Sequence, residues 1–141
     1  SKAELDIEIR TFADDEITEM IALDDVEVEP LEILEDGSPR LIMLTRLPSV
    51  GFKESLLRKR ILQWRRMGLD VSEVEPALTM DSEDAYALYA VVEEKVRRAV
   101  DLERQLNQIS GSISATEEAT SRFRIRQLTG LDELENRLYR D

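Results

Sequence analysis

The stretch Ser82 to Ile109 constrains the fold most, because it is the longest run that lacks Gly and Pro and keeps a helical spacing of apolar residues. Apolar side chains recur there at steps of three or four, which places them on one side of an α-helix. They are Ala85, Leu88, Val92, Val96, Ala99, Leu102, Leu106 and Ile109. Ser82 is the expected N-cap, and Glu83 and Asp84 suit the positive end of the helix dipole.

The apolar stripe of this helix needs a long partner. At about 1.5 Å per residue the helix measures roughly 40 Å, so we expect it to pack against an antiparallel neighbour or a second copy of the chain. Lys95 lies at the edge of the stripe and Glu103 within it. Such charges either fix the register of a coiled coil or extend past the interface into water, and we expect the second arrangement.

Composition narrows the class of protein. The chain has 141 residues, enough for one domain with a core, and 42% are hydrophobic while 35% are charged. It contains no cysteine and no histidine, which removes the usual thiolate nucleophile, the commonest metal ligand and the commonest general base. No apolar run approaches a membrane span, and no signal-peptide pattern opens the chain. We therefore expect a cytoplasmic, non-enzymatic protein without a cofactor, a metal or a membrane partner.

The net charge of −12 is distributed unevenly. Residues 1–48 carry fourteen acidic and four basic side chains, a net −10. Residues 49–68 carry one acidic and six basic side chains, a net +5, and residues 69–141 carry sixteen acidic and nine basic, a net −7. The basic segment is expected to pair with the acidic ones within the chain or across a dimer. The negative electrostatic potential of the whole chain disfavours binding of nucleic acid unless the basic face of residues 49–68 stays exposed.

The first predicted unit, residues 1–47, is acidic and contains β-structure. Apolar and charged residues alternate from Leu5 to Ile9, as in a half-buried strand, and Asp14 to Leu23 has helical spacing. Two apolar runs flank the turn residues Glu35–Pro39, which favours a hairpin. An irregular arm that lies over the helices is the alternative.

The second predicted unit, residues 48–81, contains a basic helix over Phe52–Met67 and a short connecting helix from Ser72 towards Leu78. Gly68 ends the basic helix. Trp64 shares the apolar face of this helix and is expected to be a core anchor; a role in stacking on a ligand is the alternative. The opposite side carries Arg58, Lys59, Arg65 and Arg66.

The third predicted unit, residues 82–141, is a helical hairpin of 82–109 against 114–140, with a reversal at Ser110–Ser112. Arg122–Arg126 alternates as a strand would, but its neighbours are helical, so we interpret it as helix. Thr129–Gly130 breaks or kinks the chain. The fold is therefore predicted to be mainly α, a long helix in an antiparallel hairpin plus a shorter basic helix, with a small β-containing N-terminal unit (α+β).

The tail from Ile125 to Leu138 resembles the second half of a helix-turn-helix. In that family the segment matching Leu128–Leu131 is the turn, and the next helix lies in the DNA major groove. The resemblance implies a reading helix that begins at Asp132 and presents Asp132, Glu133 and Glu135. A kinked coiled-coil arm accounts for the same residues.

Three functions follow from these patterns. The leading hypothesis is a non-enzymatic helical protein–protein interaction or oligomerisation module, with a protein partner or a homodimer. Its expected anchors are Leu88, Val92, Val96, Leu102, Leu106 and Trp64. The alternative is a regulator that binds nucleic acid through the helix-turn-helix-like tail or the basic helix, with Arg58, Lys59, Arg65 and Arg66 as contacts. An enzyme with a carboxylate-bound metal ranks last.

Overall fold

The structure is a computed structural model that describes residues 33, 34, 37 and 39–140. The strand predicted over Leu5–Ile9 and the helix predicted over Asp14–Leu23 lie outside the described residues. The described part is mainly helical, as predicted. Its elements are α1 (Glu54–Arg66), a 3₁₀ helix (Ser72–Thr79), α2 (Ser82–Ile109), α3 (Ala115–Gln127) and α4 (Leu131–Arg140). Within this described part, no helix is both long and apolar enough for a membrane span.

The basic helix α1 is slightly shorter than the predicted range Phe52–Met67. Its last turn ends where Gly68 takes a positive φ of 82°, and the Gly68 amide donates to the Arg65 carbonyl at 2.9 Å. Glycine adopts this left-handed conformation without the steric cost that a side chain would add. Gly68 therefore terminates α1, as the sequence predicts.

The long helix α2 has the predicted bounds, but the prediction that Ser82 is its N-cap is wrong. Asp81, and not Ser82, is the N-cap: its backbone is extended (φ −68°, ψ 164°), and its Oδ1 accepts from the Asp84 amide at 2.9 Å. Ser82 is already the first helical residue. Asp and Ser have similar preferences for the N-cap position, so residue type alone does not distinguish Asp81 from Ser82.

Residues 122–127 belong to α3, so the helical interpretation of the alternating stretch is confirmed. Arg122 and Ile125 are buried on one side, while Phe123 between them is exposed. The helix ends with Leu128 in the left-handed region at φ 57°. The amide of Thr129 donates to the Arg124 carbonyl at 3.1 Å, as in a Schellman motif. This turn separates α3 from α4.

The described residues that precede α1 do not form a regular strand or helix. Among the described residues before Pro48, the β pairing is limited to one isolated bridge between Ile33 and Pro39. Residues 40–47 have no strand or helix, yet Leu41, Leu44 and Leu47 are buried. The predicted alternative of an irregular arm over the helices therefore describes residues 40–47 better than a hairpin does.

One apolar cluster joins all the described elements. It draws buried residues from each of the three predicted units, from Leu41 in the first to Leu134 in the last. The long helix α2 runs through it, and the 3₁₀ helix, α3 and α4 all contact α2. The apolar stripe of α2 is thus buried by elements of the same chain.

Candidate interaction site: a groove that holds residues 39–47

Residues 39–47, which we call the strap, are bound by helix side chains at backbone atoms. At the N-terminal end, Arg126 Nη2 donates to the Pro39 carbonyl at 2.6 Å, and the Leu41 amide donates to Glu103 Oε2 at 2.6 Å. Glu103 Oε1 also accepts from Arg126 Nη1 at 2.6 Å. One carboxylate on α2 and one guanidinium on α3 therefore hold the start of the strap together.

Two arginines bind the middle of the strap. Arg97 Nη1 on α2 donates to the Leu44 carbonyl at 3.2 Å, and Arg60 Nη2 on α1 donates to the Thr45 carbonyl at 2.6 Å. Arginine suits this task because its guanidinium carries five donors at the end of a long stem. The two bonds satisfy carbonyls that a β-sheet would otherwise pair.

Two tyrosines of α2 bind the end of the strap. The Leu47 amide donates to the Tyr89 hydroxyl at 3.5 Å, and the Tyr86 hydroxyl donates to the Leu47 carbonyl at 3.3 Å. We use the word groove for the surface of α1, α2 and α3 that presents the strap-binding side chains. They are Arg60, Tyr86, Tyr89, Arg97, Glu103 and Arg126.

The strap also fills apolar space. Leu41, Leu44 and Leu47 are 4–6% exposed and belong to the main apolar cluster, whereas Met43, Thr45 and Arg46 are exposed. Burial at every third residue differs from the period of two of a strand and from the period of 3.6 of an α-helix. Each leucine contributes roughly 1.5–3 kcal/mol when it is fully removed from water. Side-chain burial and backbone hydrogen bonds thus act together along the strap.

Buried charges line the groove near the strap's C-terminal end. Arg60 is fully buried; its Nε donates to Gln63 Oε1 at 2.9 Å and its Nη1 to the Tyr89 hydroxyl at 3.0 Å. Burial lowers the pKa of Arg60, and burial raises the pKa of Tyr89 to about 12. These directions follow because an apolar environment disfavours the charged form of each group.

Glu93 is the carboxylate of this cluster. It is 3% exposed, and its oxygens lie 3.5 Å from Arg46, 3.9 Å from Arg60 and 3.8 Å from Arg97. Burial raises its pKa, and the three guanidinium groups act in the opposite direction. Its Oε1 lies near these guanidinium groups but makes no hydrogen bond. The carboxylate is therefore held by charge more than by directed bonds.

An aromatic cluster supports the same end of the groove. Trp64 stacks on Tyr89 with ring centroids 5.6 Å apart and an interplanar angle of 7°. Phe52 packs edge-on against Tyr86 at 5.1 Å and lies 5.4 Å from Tyr89. Rings packed in this way fix the direction of the two tyrosine hydroxyls that reach Leu47.

A second buried ionic cluster lies at the strap's N-terminal end. Glu103 is 1% exposed, and Arg122 lies 4.0 Å from its Oε1, in addition to the bond with Arg126. Arg122 also pairs with Glu118 at 3.1 Å. The expectation that Glu103 extends past the interface into water is wrong, because the strap and α3 cover this carboxylate and supply its partners. Lys95, at the edge of the stripe, pairs with Glu73 at 2.8 Å.

The predicted interaction anchors lie in the core of the chain. Val92, Val96, Leu102, Leu106 and Trp64 are each at most 3% exposed, and Leu88 is partly buried against them. They pack with the leucines of the strap in one cluster and form the apolar interior behind the groove. Direct contact of these residues with a second chain stays a prediction.

The predicted cationic contacts have partners within the chain. Arg58 pairs with Glu54 at 2.7 Å, and Arg65 pairs with Glu75. Lys59 and Arg66 are also engaged in interactions. The groove uses a different basic residue of the same helix, Arg60.

The acids of the helix-turn-helix-like tail also pair with arginines of the chain. Asp132 and Glu135 both lie against Arg98, at 2.6 and 2.8 Å, and Glu133 lies 3.4 Å from Arg124. These pairs join α4 to α2 and α3. Within the described residues, no group of three His, Cys, Asp or Glu side chains is arranged to hold a metal ion.

Sequence reasoning missed Arg60, Tyr89 and Glu93, although a spacing signal was present. Arg60 stands four residues before Trp64, and Glu93 stands four residues after Tyr89, so each lies on a buried face of its helix. Helical periodicity alone places charged residues on the solvent side, so it gives no indication that these two charges are buried. A charge on an apolar face in two different helices is the signal that would have indicated a buried pair.

Changing Tyr89 to Phe tests the hydroxyl that joins the strap to Arg60. We expect the free energy of unfolding at neutral pH to fall by about 1–3 kcal/mol, because Arg60 then loses a buried acceptor. The raised pKa adds a pH dependence: stabilisation by neutral Tyr89 is complete below pH 10.0 and is lost as the pH rises through about 12. Tyr89→Phe should lack this alkaline component.

Urea unfolding at a series of pH values measures both effects. Tyr139→Phe is the matched control, since Tyr139 is 60% exposed, and its free energy of unfolding should change little. Equal losses in the two variants at neutral pH would contradict the role given to Tyr89.

The groove therefore binds residues 39–47 of the same chain at backbone atoms, buries three leucines of that segment, and has buried charges at both ends. Its side chains come from three helices. A scan against models of protein families gives no match, and searches of curated proteins and of solved structures give none either.

Proposed function

We propose that the chain is a non-enzymatic helical protein–protein interaction or oligomerisation module whose helices bind a polypeptide segment that lacks regular secondary structure. The observation that carries the proposal is the way the strap is held. Side chains of α1, α2 and α3 make hydrogen bonds to six of its backbone atoms, and three leucines enter the core between these bonds.

This arrangement supports recognition because it separates affinity from specificity. Backbone hydrogen bonds favour any extended segment, and pockets for regularly spaced side chains select among segments; interaction modules that bind extended peptides work in this way. The strap supplies a leucine at every third position, Leu41, Leu44 and Leu47, to match the apolar space. A segment with the same spacing is the ligand that the groove fits.

The antiparallel hairpin predicted from the sequence is part of this proposal. We propose that α3 returns along the C-terminal half of α2 as the second arm of the hairpin. Two contacts support it: Ser110 Oγ donates to Glu118 Oε1 at 2.8 Å near the tip, and Arg126 reaches Glu103 further along. The hairpin would keep Arg126 and Glu103 at the right distance to hold the start of the strap.

A cytoplasmic location also stays a prediction.

Light scattering of the full chain tests self-association. We expect a mass of twice 16.2 kDa at high micromolar concentration, with a return towards 16.2 kDa on dilution. A compact monomer throughout the series would contradict the proposal. The pH is held constant because the buried clusters contain titratable groups.

Nucleic-acid binding is the competing outcome. It would require Arg58 and Arg65 to exchange their carboxylate partners Glu54 and Glu75 for phosphates, in a chain with a net charge of −12. Salt-sensitive binding of DNA or RNA that weakens when Arg58 and Arg65 are changed to Glu would favour it. No binding at low salt would end it.

A further inference from the structure

A short exposed turn joins the strap to α1. Pro48, Ser49, Val50 and Gly51 are exposed, and Val50 is 86% exposed. Gly51 has a φ of +81°, with no atom within 4 Å of the position that a Cβ would occupy. The turn is closed by a hydrogen bond of 3.4 Å from the Phe52 amide to the Ser49 carbonyl. Opening this turn therefore disrupts few contacts, whereas releasing the strap disrupts many.

Resting on the function proposed above, we propose that the partner is a second copy of this chain and that two copies exchange straps. Residues 39–47 of each copy then lie in the groove of the other, with the turn at 48–51 opened to let the strap cross. Every contact of the strap is kept, because the other copy offers the same groove. Exchange of an identical element between protomers is a low-cost route to a closed two-fold dimer.

The contacts of the groove favour binding of a second copy's strap over a groove that has lost its own strap and stays empty. Without a strap, Glu103 loses the Leu41 amide, Arg60 loses the Thr45 carbonyl, and the apolar interior opens to water. A replacement must supply backbone carbonyls and an amide at the same positions and leucines at every third residue. A second copy supplies all of these by identity, so exchange restores what release removes.

Concentration and turn geometry set the balance between the two arrangements. A strap tethered by a short linker competes at a local concentration on the order of millimolar, so exchange is expected at high protein concentration. Gly51→Val should raise the dimer fraction several-fold, because valine is strained at a φ of +81° and the closed turn becomes less favourable. Ser49→Ala is the matched control in the same turn and should leave the dimer fraction close to that of the unmodified chain.

Site-directed crosslinking distinguishes exchange from other dimers. The chain has no cysteine, and Met43 of the strap lines one shallow surface depression with Asp101 of α2. Full-length chains with Met43→Cys are mixed with differently tagged full-length chains with Asp101→Cys, unfolded, refolded together and treated with a short bismaleimide. We expect a covalent heterodimer, because the two cysteines share a depression only when the strap of one chain lies on the α2 of the other. Each single-cysteine variant alone is the control and should give much less covalent dimer.

The outcomes separate the two proposals. A covalent heterodimer, together with a dimer in light scattering, supports strap exchange. A dimer in light scattering without the heterodimer overturns exchange and leaves self-association in place. A monomer at every concentration overturns both.

Discussion

Replacing Glu103 by alanine is expected to lower the free energy of unfolding by about 3–5 kcal/mol, because removal of one partner of a buried ion pair leaves the other charge uncompensated. Glu103 is 1% exposed and faces Arg126 at 2.6 Å and Arg122 at 4.0 Å. The substitution also removes the acceptor of the Leu41 amide, which loosens the start of the strap. Equilibrium unfolding in urea, followed by circular dichroism, measures the loss.

Asp101→Ala is the matched control for this prediction. Asp101 lies two residues earlier on α2, is exposed, and pairs at 3.3 Å with the equally exposed Arg104. Exposed pairs of this kind are worth about 0–1 kcal/mol, so the control should be close to the unmodified chain. Similar losses in the two variants would show that burial of Glu103 does not govern its contribution.

Replacing Trp64 by alanine is expected to cost about 3–5 kcal/mol of unfolding free energy, the range for deletion of a large buried aromatic side chain. Trp64 is 1% exposed, stacks on Tyr89, and has the Arg60 guanidinium 5.8 Å from its ring centre. Its loss removes apolar contacts and also the support of two groups that bind the strap. Circular dichroism is the suitable probe, because the substitution removes the only tryptophan of the chain.

Leu62→Ala is the matched control for Trp64→Ala, because it also truncates an apolar side chain of α1. Leu62 is 45% exposed, so its truncation is expected to change the free energy of unfolding by about 0.5 kcal/mol or less. A well-tolerated Trp64→Ala would contradict its role as a core anchor. The alternative of a surface ring that stacks on a ligand would then gain support.

Local patterns in the sequence predicted the helices well. Helical spacing located α2 to within one residue of its N-cap, and Gly68 marked the end of α1, because these features depend on neighbours within a few residues. The strap shows the limit of this reasoning. Its backbone partners lie 62 residues away for Leu41 and 87 residues away for Pro39, and no local period contains such pairs.

The candidate site was predictable only in part. The position of Glu103 within an apolar stripe was visible, and so was the face of α1 that carries Trp64. Whether a charge at such a position reaches water or finds a buried partner depends on what covers it. For Glu103 the cover is the strap and α3, and for Arg60 it includes Tyr89 and Gln63. Both arrangements are decided by tertiary packing.

The large separation in sequence between the strap and its partners has a consequence for the order of folding. Closing such long chain loops costs entropy before any contact forms, whereas helices gain their bonds from near neighbours. We therefore expect α1 and α2 to assemble first and the strap to dock last. Until the strap docks, the groove of a newly made chain is open, and under the strap exchange proposed above the strap of a second chain would compete with the chain's own strap for it.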